Sequence, residues 1–244
     1  MSLTFGSLFA GIGGFDLGFE RAGLVCKWQV EINEFCRKVL AKHWPDVRRH
    51  DDVKTFPPEG SDLDEYRVDV ICGGFPCQGI SYAGKGEGLQ DERSGLWSEY
   101  ARIVRVLRPR YVVVENSPAL RERGLGTVLR DLAGCGFDAE WSLLSACTLG
   151  ATHMRWRLFI VAHTDGEHGQ ARIRRAFAHQ DGSLQAGHGF EGARHRAKAR
   201  MEDPSALYRD ADGVPDRMER NHAVGNAVVP QVAEWIGRRL MELA

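Results

Sequence analysis

Four side chains that could take part in one reaction stand where apolar segments end or begin. Cys77 follows the strand predicted over 67–72 and a pair of glycines, and Glu115 comes at the end of YVVVEN. Arg155 and Arg157 lie beside the apolar segment LFIVA and share one face if the chain is extended. Open α/β sheets bind ligands at the carboxyl ends of their strands. We therefore expect a thiol, a carboxyl group and two guanidinium groups at one rim.

This combination of groups suits methylation of an aromatic heterocycle such as cytosine, whose C5 carbon is a poor nucleophile. A thiolate that adds at C6 gives C5 the character of an enamine. A carboxylic acid bonded to N3 and an arginine on the O2 carbonyl disperse the developing charge. C5 can then take an electrophilic methyl group from a sulfonium cofactor, and loss of the C5 proton expels the thiolate.

A glycine-rich segment could supply the cofactor site. FAGIGGFDLGF follows the first predicted strand, and its glycines Gly11, Gly13 and Gly14 would let the backbone turn sharply and approach a ligand. The spacing is G-x-G-G, which differs from the dinucleotide pattern G-x-G-x-x-G. Glu31, at the end of the second strand, could accept hydrogen bonds from ribose hydroxyls, and Asp52 one from an adenine amino group. The alternatives are a tight structural turn and solvated loop acids.

Alternating strands and helices must position these groups. Strands are predicted over 4–9, 25–31, 67–72, 111–116 and 157–162, and helices over 13–22, 33–44, 95–107, 118–134 and 226–243. Alternation with short loops predicts an α/β fold with a doubly wound, mostly parallel sheet. No internal repeat is visible.

The regular pattern stops between 163 and 202. This segment holds five of the nine histidines and few large apolar residues, which indicates a small irregular insert. Its histidines lack cysteine partners and regular spacing, so no metal site is predicted. The candidate DNA contacts there are Arg172, Arg174, Arg175, Arg194, Arg196, Lys198 and Arg200; a solvated basic loop is the alternative.

Composition narrows the class of protein. The chain has 244 residues, a formal net charge of −1 and six cysteines, none of them in a C-x-x-C pair. This suits a globular protein whose cysteines are thiols. No stretch approaches the ~18 consecutive apolar residues of a membrane span. The first residues lack the basic region of a signal peptide. We expect a cytoplasmic protein with no membrane partner.

The ordered set LFAGIGG, VEINEFC, GGFPCQGIS, VVVENSP, HMRWRLFIVA and VGNAVVPQVAEWI resembles the DNA (cytosine-5)-methyltransferase family of the compact bacterial or phage type. The resemblance covers about 1–162 and 212–243. It implies a Rossmann-like methyltransferase fold with a catalytic and cofactor-binding domain over 1–162. A reduced target-recognition insert would follow over 163–211, and 212–244 would return to the first domain. One departure is Ser117, where family members usually carry valine after Glu-Asn.

The resemblance also implies roles for individual residues. Cys77 would be the nucleophile and Glu115 the partner of ring N3, while Arg155 and Arg157 would hold the target base and the site. Residues implied to bind S-adenosyl-L-methionine are Phe9, Ala10, Gly11, Gly13, Gly14, Glu31, Ile32, Asp52, Val53, Pro76, Asn226, Ala227 and Val228. Those implied to contact DNA are Gln78, Ser81, Lys85 and Arg93, in or next to a mobile loop over 79–97.

The resulting hypothesis is methyl transfer to C5 of a flipped-out cytosine in double-stranded DNA by a monomer, encoded by a bacterium or a phage. A cognate restriction endonuclease is a further partner to test. Two alternatives stay open at this point: an RNA (tRNA) cytosine-5 methyltransferase, and a non-catalytic DNA-binding remnant of the fold.

Overall fold

The computed structural model describes residues 2–76, 96–149, 155–164 and 225–243. In these ranges seven strands form one sheet in the order β3-β2-β1-β4-β5-β7-β6. The strands are β1 (Thr4–Leu8), β2 (Val25–Val30), β3 (Arg48–His50), β4 (Val70–Gly73), β5 (Tyr111–Asn116), β6 (Asp138–Ser145) and β7 (Trp156–His163). The helices are α1 (Gly14–Arg21), α2 (Glu34–His43), α3 (Leu96–Leu107), α4 (Leu120–Arg123), α5 (Leu125–Gly134) and α6 (Pro230–Leu243).

Five neighbouring strands, from β3 to β5, run parallel. Strand β7 runs antiparallel to both β5 and β6. The predicted fold class, a doubly wound and mostly parallel α/β sheet, is confirmed. Because β7 is reversed, its first residues reach the rim where the parallel strands end.

Both faces of the sheet are covered by helices, which explains why its central strands are apolar throughout. Every residue of β5 is buried. Val112 and Val114 belong to a core that includes α3 and α5, whereas Tyr111 and Val113 belong to a second core that includes α1 and α6. A strand between two helix layers lacks the alternation of apolar and polar residues expected of a half-exposed strand.

Helix α6 is far from α1 in sequence but packs directly on it. A Cβ on Gly18 of α1 would meet the Pro230 carbonyl oxygen and lie 2.5 Å from the Ala233 Cβ, and one on Gly237 would lie 2.8 Å from the Ala22 Cβ. These two glycines therefore allow the close approach of the helices. The contact brings the segment that precedes α6 beside the turn between β1 and α1.

Three local predictions were wrong. Strands β3 and β6 were missed, since β3 has only three residues, none of them apolar, and β6 lies at the edge of the sheet. The helix predicted over 118–134 is two helices separated at Gly124. The last helix begins at Pro230 rather than at 226, as expected for a residue without an amide hydrogen whose φ suits the first helical turn. None of the described helices is both long and apolar enough to cross a membrane.

Candidate active site

A cavity of about 670 Å³ opens at the rim where β1, β2, β4 and β5 end and β7 begins. Its volume is in the range of small-molecule and cofactor sites. Thirteen of the predicted site residues line it: Phe9, Ala10, Gly11, Glu31, Ile32, Val53, Pro76, Glu115, Arg155, Arg157, Asn226, Ala227 and Val228. Sequence positions that are far apart thus meet at one site.

The turn after β1 forms one wall of this cavity. Phe9 has a φ of 52° and Gly11 a φ of 56°, both in the left-handed region. A left-handed phenylalanine is uncommon, and such conformations cost roughly 1–3 kcal/mol and cluster at functional sites. The Ala10 amide donates to the Val30 carbonyl (3.1 Å), and the Gly11 amide donates to the Glu31 carboxylate (2.7 Å), so the turn is tied to the end of β2.

Gly13 and Gly14 were also predicted to bind the cofactor; Gly13 ends the turn after β1, and Gly14 is the first residue of α1. Neither lines the cavity. A Cβ on Gly13 would lie 2.5 Å from the Trp44 ring, and one on Gly14 would clash with the Val228 carbonyl oxygen. Gly14 therefore lets the segment before α6 lie against the start of α1.

The two residues after β2 present an acid and an apolar side chain to the cavity. Glu31 receives hydrogen bonds from the Gly11 and Asn33 amides, 2.7 Å each. Ile32 is 71% exposed although it is apolar, which suits a surface that a bound ring could cover. Asp51 and Asp52 follow the next strand, β3, and Asp51 lines the cavity. Asp52 accepts from the Lys54 amide (2.9 Å), and its contact with adenine stays a prediction.

Glu115, which is buried, and Arg157, which is partly exposed, form an ion pair at the opposite side of the cavity. Arg157 Nε lies 2.9 Å from Glu115 Oε1, and Glu115 is only 7% exposed. Burial raises the pKa of Glu115, and the charges of Arg157 and Arg155 oppose that rise. Burial lowers the pKa of Arg155, an effect that Arg157 increases. The site thus holds a carboxyl group that protonates more readily than an exposed glutamate.

The backbone that leads to Cys77 is held against this carboxyl group. Asn116, which is buried, donates from Nδ2 to the Phe75 carbonyl (3.1 Å). A Cβ on Gly74 would lie 2.6 Å from Glu115 Oε2, so the loop approaches the carboxylate closely. The described part of this loop ends at Pro76, directly before the predicted nucleophile.

The sequence did not identify several residues that line the cavity. They are Phe15, Val30, Asn33, Cys36, Asp51, Gly74, Phe75, Leu96, Asn116 and Ser117. Several of them are neighbours in sequence of predicted site residues, as Asn116 is of Glu115 and Asp51 of Asp52, and this adjacency was an available signal. The Ser117 hydroxyl is buried and has no hydrogen-bond partner among the described residues.

Some predicted site residues lie outside the described residues. They are Cys77, Gln78, Ser81, Lys85 and Arg93, together with the basic residues of the insert. Within the described ranges, no group of three histidine, cysteine, aspartate or glutamate side chains is placed to hold a metal ion.

A doubly wound sheet with a strained glycine-rich turn, a carboxylate after the second strand and a cavity at the carboxyl rim defines a class of proteins that bind nucleotide-like ligands. The family model of the C-5 cytosine-specific DNA methylases matches residues 3–199, and the chain belongs to that family. It is 33% identical over 175 residues to the Type II methyltransferase M1.HphI of Haemophilus parahaemolyticus, an alignment that covers 68% of this chain and 47% of the relative.

Solved structures share this fold. A DNA modification methyltransferase encoded within an E. coli prophage is 30% identical, with a TM-score of 0.57, and the match covers 66% of this chain and 47% of that one. The Entamoeba histolytica methyltransferase EhMeth, 13% identical with a TM-score of 0.67, shares the fold over 99% of this chain and 98% of its own. The chain spans about half the length of M1.HphI and of the prophage enzyme.

Proposed function

We propose that this chain transfers a methyl group from S-adenosyl-L-methionine to C5 of cytosine in double-stranded DNA. The observation that carries the proposal is the ion pair between the buried Glu115 and Arg157 in the cavity, which Arg155 also lines. A residue without a carboxyl group at position 115 would lack the acid that the reaction needs at ring N3.

The residues that line the cavity offer the polar and apolar groups that S-adenosyl-L-methionine would need. Glu31 would accept hydrogen bonds from the ribose hydroxyls, and Ile32 and Val53 offer apolar surface for an adenine ring. Phe9 and Gly11 would contact the ligand from the turn after β1, and the segment 226–228 would contact it from the chain that precedes α6. When bound, S-adenosyl-L-methionine supplies an electrophilic methyl group.

Glu115, the arginines and Cys77 would act on the base. Burial raises the pKa of Glu115, so its carboxyl group protonates more readily than an exposed glutamate and, once protonated, can donate to N3 of cytosine. Arg157 or Arg155 would bind the O2 carbonyl, so charge that develops on the ring meets donors at both positions. The Cys77 thiolate would add at C6 and be expelled when C5 loses its proton. Asn116 would position the loop that carries this thiol through its bond to Phe75.

Recognition of the DNA is proposed for the segments around the cavity. Gln78, Ser81, Lys85 and Arg93 would contact the strand that carries the flipped base, and the segment 163–211 would read the sequence. We propose a monomer as the active form. A cognate endonuclease would be expected to cut the sequence that this enzyme protects.

The experiment that tests the function is to incubate the purified protein with unmethylated genomic DNA and labelled S-adenosyl-L-methionine, and to map 5-methylcytosine by conversion sequencing. Cys77→Ala is the matched control, and transfer RNA is the second acceptor. We expect marks in one short sequence context and none with the variant. Methylation of transfer RNA alone would move the substrate to RNA. Binding of the cofactor without methylation of either acceptor would contradict the proposed activity.

The pH dependence of the reaction provides a further prediction. The active form needs a protonated Glu115 and an ionised Cys77, so kcat should pass through a maximum and fall on the alkaline side. The two limbs of this pH profile report the coupled titration of Glu115 and Cys77 together, rather than one residue each. Glu115→Gln removes the group that must stay protonated, so its residual activity should rise with pH and then level off. A descending alkaline limb in that variant would contradict the role of Glu115.

Replacing Arg157 by lysine should lower kcat about tenfold to a hundredfold, because an ammonium group keeps the charge but not the Nε–H contact and the planar donor geometry. The measurement is single-turnover methylation at saturating cofactor. Arg121→Lys is the control, since Arg121 forms an exposed pair with Glu122. Equal rates for Arg157→Lys and the wild type would show that charge alone suffices.

A further inference from the structure

A fully buried carboxylate lies behind the turn that the proposed cofactor would contact. Asp16, in the first turn of α1, has no exposed surface. It accepts hydrogen bonds from Gln29 Nε2 (2.8 Å) and Ser7 Oγ (3.1 Å), and the Cys26 thiol lies 3.6 Å away. None of these side chains lines the cavity, and none has a part in the proposed reaction.

The two side chains that donate to Asp16 lie opposite each other on neighbouring strands of the sheet. Ser7 on β1 and Gln29 on β2 are direct partners in the strand register. Ser7 comes two residues before Phe9, and Gln29 comes two residues before Glu31. Asp16 therefore bridges the two strands just before they deliver the turn and the acid that form the cofactor wall.

Asp16 also compensates for the way α1 begins. The residue before the helix is Gly13, which has no side chain to cap the free amides. An acid in the first turn stabilises these amides and the positive end of the helix dipole. Gly13 thus provides no side-chain cap for the amides at the start of α1, and the buried Asp16 stabilises this end of the helix instead.

We infer that Asp16 is a positioning residue for the cofactor site, which holds the 9–13 turn and the end of β2 at the separation that S-adenosyl-L-methionine requires. This inference rests on the proposed cofactor site. A buried carboxylate that is not paired with a cation is expensive for a fold. Burial raises the pKa of Asp16 to about 6, so the fold disfavours its charged form relative to that of an exposed aspartate. Residues retained against stability in this way are characteristic of functional sites.

The test is the affinity for S-adenosyl-L-methionine, measured by calorimetry without DNA, together with the melting temperature. Asp16→Asn keeps the shape and removes the charge, so we expect an equal or higher melting temperature and a Kd raised about tenfold. In the double variant Asp16→Asn, Gln29→Glu, the side chain at position 16 becomes the donor and the one at position 29 the acceptor of the hydrogen bond between them. The double variant should recover most of the affinity for the cofactor. Gln29 Oε1 already accepts from Arg49 Nη1 (3.4 Å), so a carboxylate at position 29 would have a cationic partner.

Asp69→Asn is the matched control. Asp69 accepts from the Thr4 amide (2.7 Å) and the Thr4 hydroxyl (2.8 Å), and so joins the starts of β1 and β4 at the opposite rim of the sheet. The Asp69→Asn variant should have a lower melting temperature and an unchanged Kd for S-adenosyl-L-methionine.

The outcomes separate the two proposals. If the wild type fails to bind the cofactor, the proposed function is wrong. If the wild type binds and Asp16→Asn binds equally well, the role of Asp16 is wrong. A parallel loss of stability and affinity in both single variants would likewise reduce Asp16 to a structural residue, as would a folded double variant that recovers no affinity.

Discussion

Glu115→Gln is expected to lower kcat by about 10²–10⁴-fold, the range associated with loss of a positioned general acid or base. The amide keeps the shape of the side chain and can still donate one hydrogen bond to N3. It cannot deliver a proton, and it leaves Arg157 without the carboxylate that lies 2.9 Å from its Nε. The affinity for the cofactor should stay unchanged, because Glu31 and the 9–13 turn lie on the other side of the cavity.

Single-turnover methylation with saturating DNA and cofactor measures this effect directly. Glu122→Gln is the control, since Glu122 is exposed and pairs with Arg121 at the surface. A loss of less than tenfold for Glu115→Gln would mean that another group stabilises the ring, and the assignment of the acid would have to be abandoned.

Gly74→Ala is expected to lower activity about 10²-fold with little effect on stability. The added Cβ would lie 2.6 Å from Glu115 Oε2, and the flexible end of the glutamate can move away at small energetic cost. That movement displaces the group that must meet the base, and a displacement of about 1 Å can cost 10²-fold in rate. The expected signature is a low kcat beside a normal melting temperature.

Gly126→Ala provides the comparison for this variant, because a Cβ at Gly126 in α5 meets no atom within 4 Å. It should retain full activity. If Gly74→Ala is as active as Gly126→Ala, the tight contact between the loop and Glu115 has no functional meaning. If Gly74→Ala fails to fold, its loss of activity carries no information on the position of the Glu115 carboxylate. Gly74→Ser, which also adds a Cβ, should then fail to fold as well.

The sequence was sufficient for those features that depend on strand order and strand ends. Glu115 and Glu31 each follow a run of buried residues, so their place at the carboxyl rim followed from a parallel sheet. The reversed direction of β7 was not predicted, yet Arg155 and Arg157 reach the same rim because they precede a strand that runs the other way. The pattern of residues alone does not show the direction of a strand.

Contacts between distant segments account for most of what the sequence could not supply. Gly13 and Gly14 belong to the motif but serve the packing of Trp44 and Val228, which only the folded chain brings near. The left-handed conformation of Phe9 could not be predicted because its residue type disfavours it. Asp16 was not singled out from the sequence, and its hydrogen bonds depend on partners in two strands. The role of Cys77 stays a prediction.

The cavity has one wall from the turn after the first described strand and another from the segment that precedes the last described helix. Residues 226–228 complete the wall beside Phe9 and Gly11, and Gly14 meets the Val228 carbonyl. During synthesis on the ribosome, the second wall emerges long after the first, so a nascent chain cannot form the complete pocket before residue 228 has been made and released from the exit tunnel. Two separately expressed fragments, divided between 164 and 225, would each be expected to lack the complete pocket and to form it only on association.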